Sequence, residues 1–253
     1  MAMTVVTGSA SGIGAATFSA LAASGREVVG VDLRDAEILA DLSTPEGRQA
    51  AVDTVLARSS GVLDGLVLCA GLGPQVSDAK RIVAVNYFGT VSLLDGLLPA
   101  LRGGEAPAAV AVSSVSSTQI TWADNPIAGL DESEVEAALE VGGDYRGQLA
   151  YAASKNALTV AVRQRAGDWG AAGVRLNTVA PGAVDTPLLQ AGLDDPRYGE
   201  AIRSFVGPLG RRGRPEEIAS LICYLLGPAA GFVHGAQFVI DGGVDAQFRP
   251  TAF

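Results

Sequence analysis

The chain has 253 residues, of which 48% are hydrophobic and 18% charged, a balance that fits one compact α/β domain and excludes a disordered or fibrous chain. Its net charge of −9 excludes an extended nucleic-acid surface, because phosphate contacts need clustered Lys and Arg. The two cysteines, Cys69 and Cys223, have no second Cys or His near them in the sequence, so we expect neither a disulfide framework nor a metal site.

The first predicted elements are a short strand and a glycine-rich loop. Residues 3–6 predict a buried strand, which the loop from Thr7 to Gly14 follows directly. A helix is predicted from Ala15 to Ser24. Glycines let the backbone approach a pyrophosphate, and the amino terminus of a helix offers free amides to it. The loop lacks Gly-Lys-Ser/Thr, so it favours a dinucleotide site over a triphosphatase P-loop.

An acidic residue closes the second predicted strand, Glu27 to Val31. Asp32 lies 18 residues beyond Gly14, where a carboxylate can accept hydrogen bonds from both ribose hydroxyls of an adenosine and repel a 2′-phosphate. This position favours NAD over NADP. Arg34 is the opposing indication, because a guanidinium beside this strand end can pair with a phosphate.

Asp41 and Leu42 follow a short apolar stretch and allow two interpretations. In one they flank an adenine ring, with Asp41 accepting from its amino group; in the other Asp41 caps the helix predicted to begin near Pro45. The segment from Thr44 to Ser59 is amphipathic, as expected for a helix packed on a sheet.

The middle of the chain alternates strands with a long predicted helix. Residues 63–69 and 108–112 are apolar runs typical of covered parallel strands. Between them, Ser77 to Leu101 predicts one long helix in which Asn86 is polar among apolar neighbours. The later strand runs into the serines of 113–117, and because ligands bind beyond the carboxyl ends of such strands, these hydroxyls are placed for chemistry.

Tyr151 and Lys155 lie four residues apart in a segment, 151–169, that predicts a helix without proline. Residues at this spacing share one face of a helix. A free phenol titrates near pH ~10, and a neighbouring cation favours the phenolate, which can exchange a proton with an alcohol or ketone. Such a pair on its own is also common on solvated helix faces, so its meaning depends on the rest of the chain.

The segment from Leu188 to Gly210 combines apolar residues with glycines at 192, 199, 207 and 210. It predicts either a substrate lid with glycine hinges or ordinary core packing. The apolar residues in question are Leu188, Leu189, Leu193, Phe205, Val206 and Leu209.

The other C-terminal elements are two strands and a helix. Residues 174–180 and Phe238–Ile240 predict strands, and Pro215 to Leu226 predicts a helix that begins with proline and acidic residues. His234, the single histidine, is expected in a turn, and its solitude excludes a Ser-His-Asp triad.

The sequence also predicts where the protein is found. No uninterrupted apolar run reaches the roughly 18 residues of a membrane-spanning helix, and residues 1–6 enter a strand without a basic, hydrophobic leader. We therefore expect a cytoplasmic protein without a membrane or nucleic-acid partner.

Taken in order, these motifs resemble those of the short-chain dehydrogenase/reductase family from the first strand to the last. They are Thr7-Gly-x-x-x-Gly-Ile-Gly14, Asp32, Ala70-Gly71, Asn86, Ser113-Ser114, Tyr151-x-x-x-Lys155, Pro181-Gly182 and Asp241-Gly242-Gly243. The resemblance implies a single-domain Rossmann fold, a doubly wound parallel sheet of about seven strands with helices on both faces. It also implies hydride transfer between NAD and a secondary alcohol or ketone.

The same resemblance assigns roles to particular residues. Ser114, with Ser113 or Ser116 as alternatives, holds the substrate oxygen, and Tyr151 is the acid/base. Lys155 binds the ribose and lowers the pKa of Tyr151, and Asn86 anchors a proton-relaying water. The cofactor-binding residues implied are Thr7, Gly8, Ser11, Gly12, Ile13, Gly14, Asp32, Leu33, Asp41, Leu42, Ala70, Gly71, Asn86, Tyr151, Lys155, Pro181, Gly182, Val184 and Thr186.

Two departures from the family pattern stand out. Cys69 holds the position of the usual Asn before Ala70-Gly71, so one hydrogen bond supporting the backbone is missing or rebuilt. Ser114 and Tyr151 are 37 residues apart, where the family places them about a dozen apart, so residues 118–147 are an insertion. Within it, residues 131–134 predict a capped helix start, the helix continues from Val135 to Val141, and Gly142-Gly143 ends it.

The insertion and several local stretches are similar to the bacterial 3α-hydroxysteroid dehydrogenase/carbonyl reductase branch of the family. These stretches are 69–75, 86–89, 151–162, 180–183, 187–193 and 233–237. The similarity implies oxidation of a 3-hydroxysteroid or reduction of a ketone; an aryl or cinnamyl alcohol of the coniferyl type and a small alcohol are alternatives, and a non-catalytic dinucleotide sensor is a more distant one. We also expect a homo-oligomer, with a dimer through Pro215 to Ile240.

Overall fold

The computed structural model describes residues 3–252 as seven parallel strands with helices on both faces, which confirms the expected fold class. Residues 1, 2 and 253 lie outside the described residues, so the expected strand start is seen from Met3 onward. The strand order is β3-β2-β1-β4-β5-β6-β7. The strands are β1 (Met3–Thr7), β2 (Val28–Asp32), β3 (Ile38–Leu39), β4 (Leu63–Leu68), β5 (Ala108–Val112), β6 (Arg175–Pro181) and β7 (Gln237–Ile240).

Within the described residues, nine α-helices lie between these strands and a tenth follows β7. They are α1 (Gly12–Ala23), α2 (Pro45–Arg58), α3 (Ala79–Val83), α4 (Thr90–Leu101), α5 (Val135–Leu139), α6 (Arg146–Ala171), α7 (Pro187–Leu193), α8 (Gly199–Ser204), α9 (Pro215–Leu226) and α10 (Val244–Phe248).

The core has two main layers, one on each face of the sheet. Consecutive strand residues point to opposite faces, so Val5 packs with α2, α4 and α6, whereas Val6 packs with α1 and α9. Both side chains are fully buried. Because every strand runs in the same direction, all carboxyl ends meet at one edge of the sheet, where the site is expected.

The long helix predicted from Ser77 to Leu101 is observed as one helical stretch, Ala79–Leu101, with a π-helical turn inside it that was not predicted. Asp78 caps α3, its carboxylate accepting from the Arg81 amide at 3.0 Å. A π-helical turn, Ala84–Gly89, then separates α3 from α4 and carries Asn86. Such turns concentrate at functional sites, and this one places Asn86 against the central part of the fold.

The inserted segment forms a small core of its own on the outside of α3 and α6. Glu134 accepts a hydrogen bond from the Asp131 amide at 2.9 Å, as the predicted helix start requires. The helix α5 is shorter than predicted, because a 3-10 helix, Glu140–Tyr145, replaces its end. Ile127, Val135 and Leu139 of the insertion are buried against α3 and α6. The insertion therefore packs on the domain instead of projecting from it.

By length and composition, one helical stretch within residues 3–252 could cross a membrane, Ala79–Leu101. Half of its most apolar window is buried, and Leu93, Leu94 and Leu97 pack in the core against the sheet. The stretch therefore has the character of a core helix. Lys80, Arg81 and Asp95 interrupt the stretch, so it is not an uninterrupted apolar run of the length that a membrane-spanning helix needs.

Candidate active site

A cleft of about 560 Å³ opens at the carboxyl edge of the sheet. Most of the residues expected from the sequence line it, and Thr7 and Asn86 lie behind it, fully buried. The expected residues that line the cleft are Gly8, Ser11, Gly12, Ile13, Gly14, Asp32, Leu33, Asp41, Leu42, Ala70, Gly71, Ser114, Tyr151, Lys155, Pro181, Gly182, Val184 and Thr186.

The glycine loop forms one side of the cleft and lies tight against the end of β4. Gly8 has a φ of 68°, and a Cβ there would lie 2.8 Å from the Ala70 nitrogen, so a side chain at this position would clash. The Ala70 amide donates to Thr7 Oγ1 at 3.1 Å, which joins the ends of β1 and β4. Thr7 thus supports the loop from behind, and the bare backbone leaves room for a pyrophosphate at the start of α1.

Asp32 stands at the end of β2 with its carboxylate already fixed. It accepts hydrogen bonds from the Ala10 amide at 3.0 Å and the Leu33 amide at 2.7 Å. A carboxylate accepts up to about four hydrogen bonds, so capacity remains for ribose hydroxyls. Arg34 lines the same cleft from an exposed position. The cleft therefore fits an adenosine ribose at this end, and Arg34 and Arg81, which also lines the cleft and lies 3.8 Å from Asp41, are nearby cations that could accommodate a phosphate.

Asp41 lines the cleft, but it does not cap the following helix. Its carboxylate accepts from the Ser43 hydroxyl at 2.6 Å and the Ser43 amide at 2.9 Å, and the Ser43 hydroxyl lowers the pKa of Asp41. The helix cap is Thr44, which accepts from the Gly47 amide at 3.0 Å. The alternative that Asp41 caps the helix was wrong, because Thr44 occupies the capping position.

Ser114 and Tyr151 face each other at the other end of the cleft. Burial raises the pKa of Tyr151, and the hydrogen-bonding Ser114 hydroxyl opposes that rise. Ser113 is a different case, because its hydroxyl donates to the Lys155 carbonyl at 2.9 Å and pairs with Thr159 at 2.9 Å. Ser116 does not line the cleft and is joined to Ser114 through its amide. Among the three serines, Ser114 has the hydroxyl best placed next to Tyr151.

Lys155 is buried one turn along α6 from Tyr151, but its ammonium does not act on the phenol in this structure. Nζ donates to the Val112 carbonyl at 2.8 Å. Burial lowers the pKa of Lys155 to about 8. The expected lowering of the Tyr151 pKa by Lys155 was therefore wrong for this state, because burial dominates and the amine is held by a strand-end carbonyl.

Asn86 uses its side chain to fix the loop that follows β4. Oδ1 accepts from the Leu72 amide at 2.8 Å, and Nδ2 donates to the Leu72 carbonyl at 3.0 Å and to Ser154 Oγ at 3.2 Å. The Ser154 hydroxyl in turn donates to the Tyr151 carbonyl at 2.8 Å. Ser154 was missed, although it stands between the Tyr and Lys of the motif, and it connects the π-helical turn to the helix that carries Tyr151.

Cys69, at the position of the usual Asn, is a half-buried residue that lines the cleft at the end of β4. Burial raises the pKa of Cys69 to about 12, so the thiol is neutral and unreactive at physiological pH. Its amide donates to the Thr7 carbonyl at 3.2 Å, so the floor of the cleft is supported by backbone and by Thr7. Cys69 and Cys223 are free thiols. Over residues 3–252, no cluster of three or more His, Cys, Asp or Glu side chains is arranged to hold a metal ion.

The segment 188–210 contains most of α7 and all of α8, of which only α7 lines the cleft. The start of α7 lies next to the glycine loop, since a Cβ on Gly12 would lie 3.1 Å from Thr186 Cγ2. Thr186 caps α7, accepting from the Leu189 amide at 3.2 Å. Leu188 and Leu189 line the cleft, whereas Leu193 is buried and Leu209 is 68% exposed. The interpretation that all six apolar residues form one inner side was therefore too broad.

The glycines of this segment serve mainly close packing. A Cβ at Gly192 would lie 2.8 Å from Ile202 Cδ1, and one at Gly207 would lie 2.7 Å from the Gly242 carbonyl oxygen. Gly210 alone of the four has a positive φ, 69°, and open space around it. Of the four glycines proposed as hinges, only Gly210 therefore has a backbone conformation that favours glycine.

His234 is a structural turn residue, as expected. The Leu176 amide donates to Nδ1 at 2.9 Å, so Nε2 carries the proton and donates to the Ala166 carbonyl at 2.8 Å. The neutral ring thereby joins β6 to α6, outside the cleft.

Comparison with known proteins decides the family. The chain is 58% identical to the 3-alpha-hydroxysteroid dehydrogenase/carbonyl reductase of Comamonas testosteroni, over 100% of both chains. The chain belongs to the short-chain dehydrogenase/reductase family. A short chain dehydrogenase family model matches residues 2–124, and an Enoyl-(Acyl carrier protein) reductase model matches residues 134–245. The interval between the two matches lies within the insertion.

A second relative is less similar in sequence, and a solved structure of another protein is similar in fold. The coniferyl-alcohol dehydrogenase of Pseudomonas sp. is 30% identical, with 96% of each chain covered. The crystal structure of the 3-alpha-hydroxysteroid dehydrogenase from Pseudomonas sp. B-0831 complexed with NADH has a TM-score of 0.95 and 52% identity, covering 99% of this chain and 100% of that one. The same backbone arrangement is thus found around a bound dinucleotide in a relative.

Proposed function

We propose that this protein is an NAD-dependent oxidoreductase that interconverts a secondary alcohol and a ketone, with a 3α-hydroxysteroid and its 3-oxosteroid as the substrate pair. The observation that carries the proposal is the Ser114 hydroxyl beside the Tyr151 phenol, at the opposite end of the cleft from Asp32. The 58% identity to a 3-alpha-hydroxysteroid dehydrogenase/carbonyl reductase over the full chain supports the substrate class.

The acid/base step belongs to Tyr151. Because burial raises its pKa, the phenol is protonated at neutral pH and ready to donate a proton to a ketone oxygen. Ser114 donates a hydrogen bond to the same oxygen and stabilises the negative charge that develops on it. In the opposite direction the phenol must first lose its own proton to solvent, and the phenolate then accepts the hydroxyl proton of the alcohol. Burial lowers the pKa of Lys155 to about 8, so its ammonium also exchanges a proton in this pH range. A bound nicotinamide supplies the hydride chemistry.

NAD is the proposed cofactor because a carboxylate stands at the end of β2, in the adenosine end of the cleft. Asp32 holds its carboxylate at the end of β2, where it would bind ribose hydroxyls and repel a 2′-phosphate. Leu33, Asp41 and Leu42 line the same end. Thr7, Gly8 and the other glycine-loop residues would hold the pyrophosphate, and Val184 and Thr186 would hold the carboxamide end.

A second candidate substrate is an aryl or cinnamyl alcohol, favoured by the similarity to a coniferyl-alcohol dehydrogenase. Leu188 and Leu189 offer an apolar wall that would contact either substrate. NADH formation should be measured with 3α- and 3β-hydroxysteroids, coniferyl alcohol and simple secondary alcohols. The proposal expects the highest kcat/KM with a 3α-hydroxysteroid; a higher value with coniferyl alcohol would support the alternative, and NADH binding without turnover of any substrate would support the sensor.

The quaternary structure and location are part of the same proposal. Apolar side chains remain exposed on and around α9 and β7, with Tyr224 48% exposed, Phe232 fully exposed and Val239 40% exposed. We expect these to be covered in a homodimer through Pro215 to Ile240 of a cytoplasmic protein. Light scattering should give twice the chain mass, and a monomer would contradict this interface. The whole chain would then be one dehydrogenase domain, with an insertion at about 118–147 and a substrate lid at about 188–210.

A further inference from the structure

Arg48 is a buried charged residue outside the catalytic residues. It lies in the first turn of α2 and is only 5% exposed. A cation is disfavoured at the amino terminus of a helix, and a buried charge is costly unless it is paired and hydrogen-bonded. Groups around the guanidinium must therefore offset both the unfavourable position at the helix terminus and the cost of burying the charge.

Two of the groups that bind the Arg48 guanidinium are backbone carbonyls beside the adenosine end of the cleft. Nε donates to the Leu42 carbonyl at 2.8 Å, and Nη2 donates to the Ser43 carbonyl at 3.2 Å. Asp41 and Leu42 line the cleft directly. Arg48 thus holds, from behind, the backbone of the segment that forms this end of the cleft.

A third carbonyl comes from the π-helical turn. Nη2 also donates to the Ala84 carbonyl at 3.0 Å, and the guanidinium carbon lies 5.9 Å from the centre of the Phe88 ring. The same turn packs against the cleft segment, since a Cβ on Gly89 would lie 3.1 Å from the Leu42 carbonyl oxygen. One side chain therefore joins the cleft segment to the turn that carries Asn86.

The compensating charge comes from the insertion. Glu132 pairs with Arg48 through both carboxylate oxygens, at 2.6 Å and 2.7 Å from Nη1 and Nη2. The side chains of Arg48 and Glu132 are 6% and 26% exposed. Such a bidentate pair fixes the plane of a guanidinium as well as its position. The pair with Glu132 therefore holds the Arg48 guanidinium in one orientation, with its N–H groups directed at the three backbone carbonyls.

We propose that Arg48 is a positioning residue for the adenosine half of the dinucleotide site and that Glu132 of the insertion holds it in place. The inference rests on the proposed NAD-dependent function. The insertion then contributes to dinucleotide affinity through one carboxylate, 84 residues away in the chain from the arginine that it orients. Two of the three carbonyls that Arg48 binds, those of Leu42 and Ser43, belong to the cleft segment 41–43, and the third, Ala84, belongs to the π-helical turn. We therefore expect a larger effect on the adenosine half of the ligand than on the nicotinamide half.

The test uses Glu132→Gln in the full-length protein, which keeps the shape of the side chain and removes its charge. Glu136→Gln is the matched control, an exposed glutamate of the same insertion. Dissociation constants are measured for NADH by fluorescence and for ADP-ribose by competition. Turnover is measured with saturating NADH and, separately, with reduced nicotinamide mononucleotide as the hydride donor.

We expect Glu132→Gln to weaken both NADH and ADP-ribose about tenfold, the scale on which positioning residues modulate binding. The kcat with saturating NADH and the kcat/KM with reduced nicotinamide mononucleotide should change by much less. Glu136→Gln should match the wild type in every measurement. Arg48→Lys, which keeps the charge but loses the fork of donors, should weaken ADP-ribose further.

Three results would overturn the inference. The first is an unchanged ADP-ribose affinity in Glu132→Gln. The second is a fall of kcat/KM with reduced nicotinamide mononucleotide as large as the loss of ADP-ribose affinity, which is expected from general destabilisation. The third is an equal loss of ADP-ribose affinity in Glu136→Gln. Thermal melting of each variant identifies a folding defect. Glu132→Asp retains the negative charge that pairs with Arg48, so it should recover part of the ADP-ribose affinity that Glu132→Gln loses if this pair orients the guanidinium. A wild-type protein that does not bind NADH would instead contradict the proposed function itself.

Discussion

The two walls of the cleft are built in different ways. The floor and the glycine-loop side consist of strand ends and buried hydrogen bonds, such as Thr7 to the Ala70 amide and Ser113 to the Lys155 carbonyl. The other wall is α7, and it is fastened mostly by exposed contacts, for example Arg197 Nη2, in the loop that follows α7, donating to the Gln75 carbonyl at 3.0 Å. Leu188 on that wall remains 37% exposed.

This difference suggests a division of labour. Buried, fully hydrogen-bonded groups cannot shift without losing several contacts at once, so the floor is suited to holding acid/base groups and a cofactor in fixed positions. Exposed segments with few buried contacts open at low free-energy cost. The wall of α7 is therefore the part in which substrate size and shape are expected to be selected.

Apart from changes to the phenol itself, the largest effect on kcat should come from changing the Ser114 hydroxyl beside it. Ser114→Ala should lower kcat roughly 100- to 1000-fold, because a hydrogen bond to the developing oxyanion is lost. The matched variant is Ser113→Ala, which loses bonds to the Lys155 carbonyl and Thr159 and should therefore reduce stability more than kcat. Steady-state kinetics and urea unfolding of both variants check this, and a reversed order of the two kcat values would exchange the roles of the serines.

A second test of the rigid floor is how the free energy of unfolding changes with pH, because the buried Lys155 amine is part of that floor. Its pKa is about 8 in the folded protein and near 10.5 when unfolded, so below pH 8 both states are protonated and the folded state carries a buried charge. Between pH 8 and 10.5 the folded state loses this proton first, and the free energy of unfolding should rise by about 3 kcal/mol from this group.

Urea unfolding of the ligand-free wild type and Lys155→Met at several pH values from 7 to 10.5 measures this rise. Tyr151 is present in both proteins, so its own titration cancels to first order. The difference in unfolding free energy between the two should change in favour of the wild type as pH increases. Parallel curves would mean that the amine is solvated and that this part of the floor is not closed.

The adenosine end should show a smaller effect on affinity and a clear one on specificity. Asp32→Ala should raise the KM for NAD roughly tenfold, since hydrogen bonds to a charged group are lost. The preference for NAD over NADP should narrow by at least as much, because the repulsive charge is removed. In the double variant with Arg34→Ala, the gained use of NADP should fall again. Equal NAD-to-NADP ratios in wild type and Asp32→Ala would argue against this cofactor assignment.

The smallest effect is expected at the exposed wall. Leu188→Ala, which removes part of the apolar lining, should raise the KM for an apolar ketone about three- to tenfold, corresponding to about 1 kcal/mol of lost burial. NADH affinity should be little affected. Leu209→Ala, at an exposed position away from the cleft lining, is the control. If Leu188→Ala changed the NADH affinity more than the KM for the ketone, the assignment of substrate selection to this wall and of cofactor binding to the floor would be wrong.

What could be predicted from the sequence was what is encoded locally. The glycine loop, the acid at the end of β2 and the Tyr-Lys spacing are short motifs whose geometry follows from neighbouring residues. Strand β5 and helix α9 were predicted with the observed bounds, Ala108–Val112 and Pro215–Leu226, because apolar patterning and proline mark their limits.

What could not be predicted depends on contacts between distant parts of the chain. The π-helical turn is held by the bonds of Asn86 to Leu72 and Ser154, which no local pattern encodes. The direction of the Lys155 amine depends on the carbonyl of Val112 on another element. Arg48 resembles an ordinary residue of an amphipathic helix, and its partner Glu132 lies in the insertion. β3 has two residues, too few for a periodic signal.

The measurement that tests the account most directly compares turnover and NADH binding in Tyr151→Phe. This variant keeps the ring and removes the hydroxyl that is proposed to transfer the proton. We expect oxidation of a 3α-hydroxysteroid to fall roughly 1000-fold or more, while the dissociation constant for NADH stays within about twofold of the wild-type value. Turnover within tenfold of the wild type, with binding intact, would contradict the central claim that the phenol of Tyr151 carries the acid/base step.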